Sequence, residues 1–253
     1  MHDKQEFNYR SRDQRRWDQL DQLSKTTEYG LQDILMNFPA FIRRRDVVRF
    51  LSHYELFKNV IDLPGCIIEL GVSKGTSLLT WGHFMETFCP GDRTRKVFGF
   101  DHFQGLQGFT EKDGKIFEGD KAGKEVGGWK APQHATEQLV DLFNEDCLVP
   151  NIERIELVDG DIFETLPKFI HEHPGLRISL LHLDLDLYEP TKFSLELLFD
   201  RVIKGGVIVF DEYGLIPWEG EANAVDEFFA SRNLEPQIQK HPFTVTPSGF
   251  LVK

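Results

Sequence analysis

Apolar and polar positions change their spacing several times along this chain of 253 residues. Residues 1–30 are polar and charged, with arginines clustered from Arg10 to Arg16, and read as a flexible or surface-docked arm. Between 31 and 60, Leu31, Ile34, Leu35, Phe38, Phe41, Ile42, Val47, Val48, Phe50, Leu51, Leu56 and Phe57 recur at helical spacing. That spacing predicts two helices divided near Pro39, since proline lacks the N–H a helix interior needs. From Gly65 onward, short apolar runs alternate with amphipathic stretches. Strands are predicted at 66–71, 96–101, 154–159, 178–184 and 206–211, and helices at 77–88, 136–143, 163–172, 190–199 and 223–231. Such alternation is the pattern of a parallel sheet wound by helices on both faces. The end of the chain stops alternating: residues 237–241 and 249–253 flank a Pro/Ser/Gly turn and predict a terminal hairpin. The expected fold class is therefore α/β, a seven-stranded, mostly parallel sheet with a C-terminal antiparallel hairpin. Residues 1–60 form an N-terminal arm and helical cap, and 61–253 the main domain.

One segment interrupts the alternation. Residues 104–135 hold Gly105, Gly108, Gly114, Gly119, Gly123, Gly127 and Gly128, many charges, and the isolated aromatics Phe109, Phe117 and Trp129. A loop this long inside a compact domain is either functional or variable. The expectation is a mobile lid over the active site; the alternative is a variable surface loop.

Composition narrows the possibilities. Hydrophobic content of 40% and charged content of 28% are ordinary for a soluble globular protein. A net charge of −12 argues against non-specific nucleic-acid binding, which depends on a positive field, and against anionic membrane surfaces. Cys66, Cys89 and Cys147 have no paired spacing and read as reduced thiols of a cytoplasmic protein. The polar start and the lack of any apolar run near 18 residues (the length of about one bilayer crossing) predict neither a secretory signal nor a membrane span. Arg43 to Arg45 read as a solvated face or, alternatively, an anion-binding patch. The amphipathic helices at 31–60 and the arm before them predict a homo-oligomer.

Candidate chemistry gathers where predicted strands end, because ligands of open α/β sheets sit beyond the carboxyl ends of the strands. Glu69-x-Gly71-x-x-x-Gly75-x-Ser77 follows the first strand and opens a helix, the context of a nucleotide-binding turn. Ser73 stands where the dinucleotide pattern has its second glycine, which leans away from NAD. Asp101 ends the next strand, 30 positions after Gly71, where an acid can bind ribose hydroxyls or cap a turn. Asp161 follows the third strand and is either an acceptor for the adenine amine or a helix N-cap. The fourth and fifth strands end in Asp184 and in Asp211-Glu212, 27 positions apart. Three converging acids repel unless a cation neutralises them, and clustered carboxylates suit a hard divalent ion such as Mg²⁺. The alternative is a set of helix caps with Lys and Arg partners. His182 and Asp186 share the strand face of Asp184 by alternation. Either could be a base, although His182, deeper in the strand, also fits a satisfied core histidine.

These residues resemble the macrocin O-methyltransferase family. The likeness runs from about residue 30 to 230 and is carried by several segments: Asn37 to Arg45, Arg49-Phe-Leu-x-x-Tyr54-Glu55, Gly99-Phe-Asp101-x-Phe-x-Gly-Leu106, Thr165-Leu-Pro167, Leu183-Asp-x-Asp-x-Tyr-Glu-Pro-Thr191 and Asp211-Glu-Tyr-Gly214. The family uses S-adenosylmethionine and Mg²⁺ to methylate sugar hydroxyls, and the resemblance implies a Rossmann-like class I methyltransferase fold. It implies Asp184, Asp211 and Glu212 as metal ligands, and Glu69, Gly71, Gly75, Ser77, Asp101 and Asp161 around the cofactor. It places Tyr54 and Glu55 in a helical cap over the site. The cofactor turn is also similar to that of catechol O-methyltransferase, whose catalytic lysine is replaced here by Leu187. The candidate bases are then Asp186, His182 and Tyr188. The expected activity is metal-assisted O-methylation of a sugar or glycosylated small molecule. The alternatives are another small-molecule diol as acceptor, a metal-independent methyltransferase, a non-catalytic binding protein and an NAD-dependent oxidoreductase.

Overall fold

A computed structural model describes residues 2–26, 29–115, 123–149 and 151–253, with the side chains of 2–13 and of Arg45 outside the description. Phe117 and Gly119 of the expected lid also lie outside the described residues. The chain divides into two units, Met1–Val47 and Val48–Lys253.

In the first unit the expected arm is instead a continuous helix, α1 (His2–Thr26). No proline or glycine interrupts it, and Gln14–Asp18 and Lys25–Asp21 pairs four residues apart join successive turns at 2.9 and 2.6 Å. The expected division near Pro39 yields two short helices, α2 (Leu31–Met36) and α3 (Phe38–Phe41), neither with a buried residue. Pro39 occupies the first turn of α3, where a missing N–H costs nothing. The next helix, α4 (Arg44–Lys58), runs across the boundary between the units.

The second unit is a mixed sheet of β1 (Cys66–Leu70), β2 (Val97–Asp101), β3 (Ile155–Asp159), β4 (Ile178–Leu183), β5 (Val202–Phe210) and β6 (Gly249–Val252). Strand order is β3-β2-β1-β4-β5-β6, parallel throughout except for antiparallel β6. The strands are apolar on both faces because helices cover both. Ile67, Leu180, Val207 and Val209 face a core shared with α4, α5 (Thr76–Phe88) and α6 (Gln133–Glu145). Ile68, Leu181, Ile208 and Phe210 face the other, shared with α7 (Ile162–Glu172), α8 (Tyr188–Leu198) and α9 (Glu219–Ser231).

Among the described residues, six strands form where seven were expected. The segment 237–241 contributes one isolated bridge, Gln239 to Phe250. Pro236 and Pro242 bracket it and supply no N–H to extend a ladder. Among the described residues, no helix is long and apolar enough to cross a membrane.

The order of strands reverses between β1 and β4, so their carboxyl ends open a crevice. The two ends nearly touch. Asp184 N–H donates to the Leu70 carbonyl at 2.8 Å, and a Cβ on Gly71 would lie 1.7 Å from the Asp184 carbonyl oxygen. Gly71 also has φ +89°, a conformation that side chains resist. Gly71→Ala is therefore expected to lower stability by roughly 3 kcal/mol, read as a lower denaturant midpoint; an unchanged midpoint would contradict this account of the β1–β4 approach.

Candidate active site

The crevice is a cavity of about 1010 Å³. One wall is the turn from Gly71 to Ser77, which leads from β1 into α5. Gly75 ends that turn with φ +80°, and its left-handed conformation starts the helix. Asp101 fastens the turn. Its Oδ2 accepts the N–H groups of Val72 and Ser73 at 2.8 and 2.7 Å, and its Oδ1 accepts that of Phe103 at 2.6 Å. A carboxylate offers about four acceptor sites, so Asp101 keeps capacity for a ligand. Asp161 also lines the cavity and caps α7 through Phe163 N–H at 2.9 Å. For both residues, capping and binding are compatible.

The acids form the far wall. Asp184, Asp186, Asp211 and Glu212 all line the cavity. Arg49, from α4, reaches between two of them: its Nη2 donates to Asp184 Oδ2 at 2.9 Å and its Nη1 to Asp211 Oδ2 at 2.8 Å. Asp211 Oδ1 faces His182 Nε2 at 3.3 Å, and His182 Nδ1 faces Glu69 Oε2 at 3.2 Å. The same Glu69 oxygen accepts Trp81 Nε1–H at 2.9 Å. Charges thus alternate from Glu69 through His182, Asp211 and Arg49 to Asp184.

Burial alone would push His182 down, but hydrogen bonds to Asp211 and Glu69 carry it up to about 10, which favours the imidazolium. Burial opposes ionisation of Asp211 as well, yet Arg49 and His182 hold it well below the usual carboxylate range. Asp184 is pushed up to about 7 by burial and by the Asp211 charge. Burial and neighbouring carboxylates also drive Asp186, Glu212 and Glu221 well above their ordinary values. Six carboxyl groups, of Glu69, Asp184, Asp186, Asp211, Glu212 and Glu221, share the two cations His182 and Arg49, and Glu212 Oε2 and Glu221 Oε2 are buried with no hydrogen-bond partner among the described residues. Hard oxygen donors with unmet negative charge fit a divalent ion. Among the described residues, the ligand-type atoms gathered within 4.8 Å of one another belong to His182, Asp184 and Asp211, with Glu212 outside that trio. Both nitrogens of His182 already face carboxylate oxygens, of Glu69 and Asp211, which leaves the carboxylates as the available ligands.

The candidate bases separate by position. Only Asp186 lines the cavity. Strand alternation does not extend to it, because β4 ends at Leu183 and Asp186 turns to φ +61°. His182 is fully buried behind Asp211. The Tyr188 hydroxyl points elsewhere, donating to Glu227 at 2.5 Å and accepting from Lys192 at 2.7 Å. Glu69 and Gly75 are likewise absent from the cavity wall, as is Tyr54, whose ring packs on Phe84 and Phe88.

Sequence reasoning gave no site role to Arg49, Trp81, Glu221 and Thr246: Arg49 meets Asp211 and Asp184 across 162 and 135 positions and also holds Thr246, whereas Trp81 and Glu221 lie 12 and 9 positions from Glu69 and Glu212. The described parts of 104–135 border the site. Leu106 and Gly128 pair through their backbones at 2.8 Å, and Leu106 packs with Leu187 and Trp218. Trp129 and Trp218 line the cavity at its apolar side. Buried Lys124 ties this segment to the Pro217 carbonyl and to Glu219.

The family model described as macrocin O-methyltransferase (TylF) matches residues 14–245. An 8-demethyl-8-(2,3-dimethoxy-alpha-L-rhamnosyl)-tetracenomycin-C 4'-O-methyltransferase of Streptomyces olivaceus is 30% identical over 60% of this chain. The demethyldecarbamoylnovobiocin O-methyltransferase of Streptomyces niveus is 27% identical over 70% of it. The chain spans 54% and 63% of the lengths of these two relatives. CalS11, a calicheamicin methyltransferase described as a TDP-rhamnose 3'-O-methyltransferase, superposes with a TM-score of 0.85 and 27% identity. That likeness covers 95% of this chain and 92% of CalS11.

Removing His182 would strand two buried carboxylates. His182→Leu is expected to cost roughly 3–5 kcal/mol of stability, and Glu69→Leu in the same chain to recover part of it. Denaturant unfolding of the single and double variants checks this; a double variant no more stable than the single one would refute the pairing.

Proposed function

Because this chain belongs to the macrocin O-methyltransferase family, we propose that it transfers a methyl group from S-adenosylmethionine to a hydroxyl of a sugar or glycosylated small molecule. The observation that carries the reading is one cavity at the β1–β4 switch point with a glycine turn on one wall and carboxylates on the other. The activities of the tetracenomycin and calicheamicin relatives support a sugar hydroxyl as acceptor.

In this reading the Gly71–Ser77 turn receives the cofactor, since its backbone borders the cavity with little side chain in the way. Asp101 holds the turn in shape and offers its remaining lone pair to a ribose hydroxyl. Asp161, at the mouth of α7, is the acceptor for the adenine amine. Trp129 and Trp218 supply apolar surface for the face of a deoxysugar or its aglycone, and exclude water from it. Holding the methyl donor and acceptor oxygen about 3–3.5 Å apart can supply roughly 7–11 kcal/mol of the barrier. Asp186, the candidate base on the cavity wall, takes the hydroxyl proton as the oxygen attacks.

Asp184, Asp211 and Glu212 are the residues that would hold Mg²⁺, which when bound would acidify the acceptor hydroxyl. His182 keeps Asp211 ionised and oriented, and Glu69 keeps His182 charged. The competing reading, transfer without a metal, has one observation behind it: Arg49 already bridges Asp184 and Asp211.

Three measurements check the proposal. Thermal unfolding with S-adenosylhomocysteine at 100 times its dissociation constant should raise the midpoint by about 5–10 °C, whereas NAD should not. Asp186→Asn should lower kcat by about 10²–10⁴-fold on a glycoside acceptor while the chain stays folded, as expected for loss of a general base. Asp211→Ala should abolish the chelator-sensitive part of turnover. A shift with NAD alone would overturn the cofactor, and full activity of Asp186→Asn would overturn the base.

A further inference from the structure

One guanidinium bridges two of the acids that would hold a divalent ion. Arg49 Nη1 donates to Asp211 Oδ2 at 2.8 Å and to Thr246 Oγ1 at 2.9 Å. Its Nη2 donates to Asp184 Oδ2 at 2.9 Å and to Ser77 Oγ at 3.1 Å. Acceptors from α5, from the ends of β4 and β5 and from the loop before β6 converge on this fork. A planar guanidinium suits two carboxylates at once, which a surface lysine would not.

We propose that Arg49 is a tethered counterion that holds the Asp184–Asp211 pair in the metal-free protein and is displaced when a divalent ion binds there. The proposal rests on the reading of these acids as a metal site. Three observations carry it.

The first is competition for the same two carboxyl groups. Arg49 engages one oxygen of each carboxylate, and those two residues supply two of the three ligand-type groups within 4.8 Å of one another. A hard ion binds carboxylate oxygens at about 2.0–2.6 Å. Such contacts cannot form across a gap filled by N–H groups, and a guanidinium beside a divalent cation would repel it.

The second is charge. Arg49 and His182 supply two positive charges to a cluster that also contains Asp186, Glu212 and Glu221. Arg49 makes no bond to Glu212, whose Oε2 is buried without a partner. The fork therefore quiets two carboxylates and leaves unmet the demand that a doubly charged ion would answer.

The third is room to move. The Arg49 side chain is 26% exposed and lines the cavity. The Arg49 carbonyl accepts from His53 Nδ1 at 2.7 Å, which fixes the backbone of α4 at this point. Exchange is then a side-chain rotation into the cavity, with no change in the helix. Ser77, on the wall of the cofactor turn, remains within reach of the displaced guanidinium, so loading of the ion and shape of the cofactor site are linked.

A competitor attached to the protein weakens the apparent affinity of the ion by the fraction of time it leaves the acids free. Removing the guanidinium should remove that penalty. The test is a titration of the purified full chain with Mn²⁺, read by the electron paramagnetic resonance signal of the free ion, for the native chain, Arg49→Met and Arg49→Lys. Asp184→Asn, introduced into the native chain and each Arg49 variant, identifies binding at this site. The expected result is Mn²⁺ binding about tenfold tighter or more in Arg49→Met, and tighter by a smaller factor in Arg49→Lys, which keeps the charge but loses the fork. Asp184→Asn should abolish all of it. If Arg49→Met does not fold, Arg49→Lys alone decides. Equal or weaker Mn²⁺ binding in the Arg49 variants would overturn the counterion and leave the metal site standing. No Asp184-dependent binding in any chain would overturn both, and would favour transfer with Arg49 as the resident cation.

Discussion

The site depends on a line of buried charges that alternate in sign: Glu69, His182, Asp211, Arg49 and Asp184. Each link offsets the cost of burying its neighbours. Without His182, Glu69 and Asp211 would face each other across an apolar core; without Arg49, Asp184 and Asp211 would repel at the cavity wall. Buried ion pairs seldom add net stability over apolar packing, because removing two charges from water costs several kcal/mol per ion. Their presence here points to the cavity, where charge is useful, more than to the core, where it is merely tolerated.

Sheet topology gives that line its place. Parallel strands end together at one edge of the sheet, and the reversal of order between β1 and β4 leaves a gap that helices do not fill. Gly71 allows the two strand ends to meet, and the turn beyond it faces the carboxylates that follow β4 and β5. The opposite edge carries buried cations of a different kind. Arg95 donates to the carbonyls of Val60, Ile61 and Gly65, and Arg154 to Glu86 and the Arg95 carbonyl. Those arginines close the strand beginnings with satisfied hydrogen bonds, whereas the acids at the strand ends retain buried oxygens without partners.

Local pattern located most elements because the forces that shape them are local. Runs buried on both faces marked β1 to β5, and Asp161 signalled the start of α7 through the N-cap it provides. Misreadings occurred where another constraint overrode pattern. The polar N-terminal stretch is a helix joined by side-chain pairs on successive turns. The expected seventh strand is reduced to a bridge by two flanking prolines. Asp186 reaches the cavity beside Asp184 through a turn at φ +61°, not by strand alternation, because β4 stops at Leu183, while His182 stays buried.

The sequence by itself determined the fold class, the glycine turn and the acids at the strand ends, all of which depend on residues a few positions apart. Only the tertiary structure decided which cation meets those acids. Arg49 lies 135 positions from Asp184 and 162 from Asp211, in a helix whose periodicity records burial and says nothing of partners. Glu69 shows the same limit. Its motif predicts a cofactor turn, while its carboxylate turns back into the core toward Trp81 and His182. Spacing along the chain fixes the face from which a side chain projects; the charge it meets depends on which distant segment the fold packs against that face.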